Sequence, residues 1–137
     1  MKKILAALLL WPVLAFAQDM VVPIISVVDG DTIKTILTLP CPLCSVSIRI
    51  KGIDAPETNY LAKCEKERHK GLQATNFVRN LVAGQTTMVV RDSSWDKFGG
   101  RINATVLVGN INIGDELLKA GLAKPYTGTG PRPTWCD

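Results

Sequence analysis

Carboxylates and arginines in this chain fall into three short clusters whose spacing permits joint chemistry. Asp29-Gly30-Asp31-Thr32 sets two carboxylates beside the start of a strand. One aspartate there is readily a turn residue; two together offer the several oxygen ligands that a hard cation takes. Asp54-Ala55-Pro56-Glu57 is a second acidic turn. Pro56 fixes its own φ and drives Ala55 into an extended shape, so Asp54 and Glu57 are held in rigid relation. Arg49 stands shortly before them, on the polar face of a strand that leads into that turn. Carboxylates and an arginine on rigid backbone suit metal-assisted chemistry on a phosphate, and an ordinary salt bridge is the competing reading. The third cluster is Trp95-Asp96-Lys97-Phe98-Gly99-Gly100-Arg101. A base can stack on such an aromatic while the cations meet phosphates; a hairpin loop with solvated charges accounts for it equally well.

Strands must carry most of these residues. Val21 to Val28 is apolar and β-branched, Asp29-Gly30 is a hairpin turn signal, and Thr32 to Leu39 runs on as a second strand. Val46, Ile48 and Ile50 alternate with Ser47, Arg49 and Lys51, which predicts a strand with one buried face. A helix is expected from Glu65 to Val82, with Ala74, Phe77, Val78 and Leu81 on one side and Gly84 ending it. Thr86 to Arg91 reads as a fourth strand, Asp92 to Gly100 as a polar loop, and Arg101 to Val108 as a fifth strand. Asn112 to Asp115 resembles a capped helix start, Glu116 to Ala120 a short helix, and Gly121 its stop. The order β-β-β-α-β-β-α predicts an α+β, mainly β fold: a five-stranded OB-type barrel with two packed helices. An all-antiparallel α+β sandwich remains compatible with the pattern.

At 137 residues the chain holds one small domain and a leader. Lys2-Lys3, an apolar run from Ile4 to Phe16 and the small-x-small site Ala15-Phe16-Ala17 read as a signal peptide at 1–17. The run is shorter than the ~20 residues that span a bilayer. The expected domain is therefore 18–137, periplasmic or secreted, monomeric and without stable membrane association once the leader is cut. Loss of Lys2 and Lys3 lowers the net charge of +4, so basicity says little about partners. In an oxidising compartment an even number of cysteines predicts disulfides, and four allow three pairings. Cys64–Cys136, tying the tail to the body, and Cys41–Cys44, a local loop clip, are the pairings expected. Zinc or redox readings of Cys41-Pro-Leu-Cys44 lack a second ligand pair or a thioredoxin-like context.

Taken in order, Asp29-Gly-Asp31-Thr-Ile, Arg49 with Asp54-Ala-Pro-Glu57-Thr, Asp96-Lys-Phe-Gly-Gly-Arg101 and Gly121-Leu-Ala-Lys124 resemble the staphylococcal-type thermonuclease family. The resemblance runs from Ile24 to Tyr126. It implies a Ca²⁺-dependent nuclease acting on DNA and RNA with little sequence specificity and leaving 3′-phosphate ends. By the same resemblance Asp31, Asp54 and the Ala55 carbonyl hold Ca²⁺, with Asp29 close by. Glu57 activates the attacking water, and Arg49 and Arg101 grip the scissile phosphate. Lys97, Phe98 and Tyr126 contact the nucleotide. The chain departs from the family pattern in a second glycine before Arg101, in Phe98 where a tyrosine is usual, and in the cysteine loop. The second glycine puts the register of Arg101 in question. The alternative function is a non-catalytic exported OB-fold module that binds nucleic acid; retention of Asp31, Arg49, Asp54, Glu57 and Arg101 argues against it.

Overall fold

The computed structural model describes residues 18–38 and 44–137. The leader at 1–17 and Cys41 lie outside the described residues. Among the described residues nine strands and two helices follow one another: β1 (Met20–Pro23), β2 (Ser26–Asp29), β3 (Thr32–Leu37), β4 (Cys44–Ile50), β5 (Ile53–Asp54), α1 (Glu65–Leu81), β6 (Thr87–Trp95), β7 (Arg101–Val108), β8 (Ile111–Asn112), α2 (Ile113–Lys119) and β9 (Lys124–Pro125).

The principal sheet runs β1-β6-β7-β4-β3-β2. Its two edges are successive pieces of the single strand expected from Val21 to Val28. That strand divides at Ile24 and Ile25, so its first part pairs with β6 and its second with β3. The Thr35 hydroxyl donates to the Pro23 carbonyl at 2.7 Å, and the Ile25 amide to the Lys34 carbonyl at 3.0 Å, across the bend. The sheet therefore curls on itself into the expected OB-type barrel. β4 and β7 pair in parallel, which excludes the all-antiparallel sandwich. The three two-residue strands β5, β8 and β9 add to the five long ladders without altering the barrel.

Alternation along β4 and β7 sends Val46, Ile48, Ile50, Ile102, Ala104, Val106 and Val108 into the core, as their period of two requires. α1 closes one end, burying Ala74 and Val78, with Phe77 and Leu81 partly buried beside them. Cys64 is its N-cap: the sulfur accepts from the Glu67 amide at 3.4 Å, while Glu67 Oε2 accepts from the Lys63 amide at 2.7 Å. This arrangement parallels a capping box. Asn112 caps α2 through the amides of Gly114 and Asp115.

The loop expected from Asp92 to Gly100 is in part strand. Residues 92–95, read as loop, continue β6 as far as Trp95. The register shifts between Arg91 and Ser94, and Asp92 takes a positive φ of 51° there. A bulge thus absorbs the polar stretch and pairing resumes at Ser94 with Asn103.

Candidate active site

The Asp29-Gly30 hairpin and the acidic turn after β5 meet on the flank of α1. Two glycines permit the approach. A Cβ at Gly30 would lie 2.7 Å from the Ala74 Cβ and 2.9 Å from that of Ala55. One at Gly71 would lie 2.6 Å from the Glu57 carbonyl oxygen and 2.7 Å from that of Pro56. Asp29 Oδ1 accepts from the Asp31 amide at 3.1 Å, so Asp29 braces the turn. Asp31 Oδ1 accepts from the Thr32 hydroxyl at 3.0 Å, and Oδ2 from the Ala55 amide at 2.8 Å. The first acidic cluster is in this way fastened to the second.

Arg49 joins them electrostatically. Its Nη2 lies 3.0 Å from Asp31 Oδ2 and 3.1 Å from Asp54 Oδ1. Both aspartates are buried. Burial pushes the Asp31 carboxyl up to about 7 and Asp29 adds to the rise; the Arg49 charge and the Ala55 and Thr32 hydrogen bonds oppose it. A carboxylate so desolvated is best ionised beside more positive charge than one shared guanidinium supplies. The all-oxygen donors of Asp31, Asp54 and the adjoining backbone suit a hard cation such as Ca²⁺.

Arg101 lines a cavity that Arg49 also lines, whereas Asp31, Asp54 and Glu57 are not among its lining residues. Its Nε donates to Asp96 Oδ2 at 3.0 Å, and its guanidinium stacks 4.7 Å above the Phe98 ring. The Asp96 amide bonds the Arg101 carbonyl at 2.9 Å, while Gly100 takes a φ of +75° within the turn. The second glycine is thereby accommodated inside the loop, and Arg101 opens β7 opposite Ser47. Lys97, with its ammonium 5.3 Å from the Phe98 ring centre, and the exposed Phe98 form one rim. Tyr126 forms another, its amide bonded to the Gly52 carbonyl at 2.9 Å and its hydroxyl donating to the Gly130 carbonyl at 3.1 Å. Arg49, Asp96, Lys97, Phe98, Arg101 and Tyr126 line one cavity of about 680 Å³.

One residue there carries no motif and was not foreseen. Arg132 donates from Nε to Asp54 Oδ1 at 2.8 Å and from Nη1 to Glu57 Oε1 at 2.8 Å. Burial works against its charge, but the bonds to Glu57 and Asp54 outweigh that and raise its pKa. The available signal was indirect. Pro133 biases Arg132 before it toward extended backbone, and a Cys136 bridge to Cys64 brings the tail toward the acidic turn. That bridge is present, and Cys44 is disulfide-bonded as well.

The sequence matches the staphylococcal nuclease homologue family over residues 47–134. It is also 30% identical, over 116 residues, to two proteins described as uncharacterized endonucleases, from Escherichia coli O157:H7 and from Escherichia coli. Those alignments cover 85% of this chain and 66% of each relative, so the chain spans just under two thirds of their length. With the family match running from the middle of β4 into the tail, across the barrel that presents Arg49, Asp54, Glu57 and Arg101, this protein belongs to the staphylococcal nuclease homologues.

Proposed function

We propose that the chain is an exported, Ca²⁺-dependent nuclease that hydrolyses phosphodiester bonds of DNA and RNA with little sequence specificity. The observation that carries this reading is the buried pair Asp31 and Asp54, which share one Arg49 nitrogen at 3.0 and 3.1 Å. Asp31, Asp54 and the Ala55 carbonyl would hold the ion. When bound, Ca²⁺ would supply positive charge to the phosphate and acidify a nearby water.

The chain's own groups do the rest. A phosphodiester is anionic and repels hydroxide, so Arg49 and Arg101 neutralise it and meet the charge that gathers in the transition state. Glu57 takes the proton of the attacking water. Lys97, Phe98 and Tyr126 hold the nucleotide by charge and stacking. Departure of the 5′-oxygen leaves a 3′-phosphate end.

The test is digestion of plasmid DNA and of RNA with Ca²⁺ and with chelator. Cleavage is expected only with Ca²⁺, and the 3′ ends should resist polymerase extension until dephosphorylated. Asp31→Ala and Asp54→Ala should abolish cutting and weaken calorimetric Ca²⁺ binding. Full activity in chelator would sink the assignment. Export is tested by the mature N-terminus, expected at Gln18.

A further inference from the structure

We infer that Arg132 is a positioning residue of this site, delivered by the Cys64–Cys136 disulfide, so that the constellation is complete only in oxidised protein. The inference rests on the nuclease reading above and adds to it a residue and a redox dependence.

Arg132 links the side chains of Asp54 and Glu57. Nε and Nη2 approach the same Asp54 oxygen, at 2.8 and 2.7 Å, and Nη1 reaches Glu57 at 2.8 Å. Charges then alternate along one line: Asp31, Arg49, Asp54, Arg132, Glu57. A planar guanidinium that fixes two carboxylates at once sets the angle between them, which a lysine ammonium does less well. Among the described residues the hydrogen-bonding partner of the Glu57 carboxylate is Arg132, so without it the side chain is free to change rotamer.

What brings Arg132 there is the end of the chain. The last strand pairing, β9 with β5, stops at Pro125, and Tyr126 adds one backbone bond. Beyond it the tail is held by side chains. Trp135 is buried between Lys70 and Lys124, whose ammonium groups lie 5.4 and 4.6 Å from its ring centre. Its indole N–H has no hydrogen-bond partner among the described residues, a cost that works against docking. The covalent bond from Cys136 to Cys64 overcomes that cost. Cys64 also sits beside the acidic turn: it caps α1, and Glu67 in the first turn of the helix accepts the Glu57 amide at 3.4 Å. Closing the bond therefore seats Arg132 against a turn whose backbone the same corner of the structure supports.

Reduction by a dithiol transfers two electrons and two protons to the S–S bond. It leaves thiols at Cys64 and Cys136 and converts the reductant to its own disulfide. The tail is then untethered and Arg132 leaves the carboxylates. Disulfide exchange in an oxidising compartment reverses the step.

The experiment compares the oxidised full chain with Arg132→Ala, Arg132→Lys, the Cys64→Ser/Cys136→Ser pair, and that pair combined with Arg132→Ala. Single-turnover cleavage of a single-stranded oligonucleotide in Ca²⁺, well below each melting temperature, is read beside hydrogen exchange of residues 54–59. Arg132→Ala should keep its disulfide, melt somewhat lower because the buried Asp54 loses a cation, lose at least tenfold in rate, and exchange faster at 54–59; Arg132→Lys should recover part of the rate. The cysteine pair should show the same loss, and adding Arg132→Ala to it should cost nothing further. Where the cysteine pair fails to fold, a Gly-Ser-Gly-Ser insertion between Arg132 and Pro133 keeps the bond, slackens the tail and must give the same loss. Arg132→Ala with unchanged or raised turnover would overturn the inference, as would additive losses or an untethered tail at full rate. A wild type inactive on every nucleic acid would remove the nuclease reading alone, since exchange at 54–59 still decides what Arg132 positions.

Discussion

Glu57, Arg49 and Arg101 differ in what their removal takes from the site. Glu57→Gln keeps the shape and an oxygen for Arg132 but removes the proton acceptor. The cleavage rate should fall by about 10²–10⁴-fold, while affinity for single-stranded DNA in chelator is preserved. A rapid-quench rate beside a binding titration checks this, and wild-type cleavage by Glu57→Gln would remove the base assignment. Arg101→Ala should lose roughly 3–4 kcal/mol of transition-state stabilisation with little change in melting temperature. Its partners are Asp96 and the exposed Phe98 in a surface loop, so the fold depends little on it. Arg49→Ala should lose as much rate and also stability, because two buried carboxylates lose the cation they share. Lys97→Ala removes one exposed charge and should weaken binding mildly with turnover nearly intact. Equal melting temperatures for the two arginine variants would contradict this division.

At the scale of elements, the site depends on how closely two turns lie against α1. Gly71→Ala would set a Cβ 2.6–2.8 Å from backbone atoms of Pro56 and Glu57, which cannot move aside as a flexible side chain does. The variant is expected to melt several degrees lower and to lose activity by displacing Glu57; calorimetry and a cleavage assay check both. Wild-type behaviour in both would mean that the turn tolerates displacement. Much of this architecture was legible because it is periodic: alternation fixed the buried faces of β4 and β7, and Asn112 and Gly121 bracketed α2. The acidic turns were legible because Pro56 makes their geometry local. What escaped depends on contacts distant in sequence. Nothing near Pro23 announces that one strand serves two neighbours, and the bulge at Asp92 is needed only because β6 must follow β7. Arg132 belongs to no motif; its place follows from a disulfide across 72 positions. The sequence alone also left the place of Arg101 open by one residue; in the structure it begins β7 after the positive-φ turn at Gly100.

The whole molecule carries two dependences that bulk measurements can read. The Cys64–Cys136 bond closes a loop of 72 positions and should stabilise the fold by about 4 kcal/mol in the chain-entropy model, so the Cys64→Ser/Cys136→Ser pair should melt well below the wild type. Unchanged melting would show that Trp135 alone anchors the tail. The second dependence is on pH. Burial first, and then the charge of Asp29, set the folded pKa of Asp31 near 7 against an ordinary 3.8. Between those values the folded metal-free protein holds a proton that the unfolded chain has lost, so stability falls as pH rises from about 4 to 7. The lowered carboxyls of Asp19 and Asp96 act in the opposite sense, but only in acid below that window. Ca²⁺ favours the ionised form. At pH 8 a hundredfold excess over its Kd should restore about 2.7 kcal/mol, and at pH 5, where a proton must first be displaced, the same concentration should restore much less. Scanning calorimetry with and without CaCl₂ at pH 5 and 8 reads both effects, and Asp31→Asn should flatten the metal-free profile and abolish the response to calcium. If Asp31→Asn left both unchanged, neither the proton nor the ion would belong to that carboxylate.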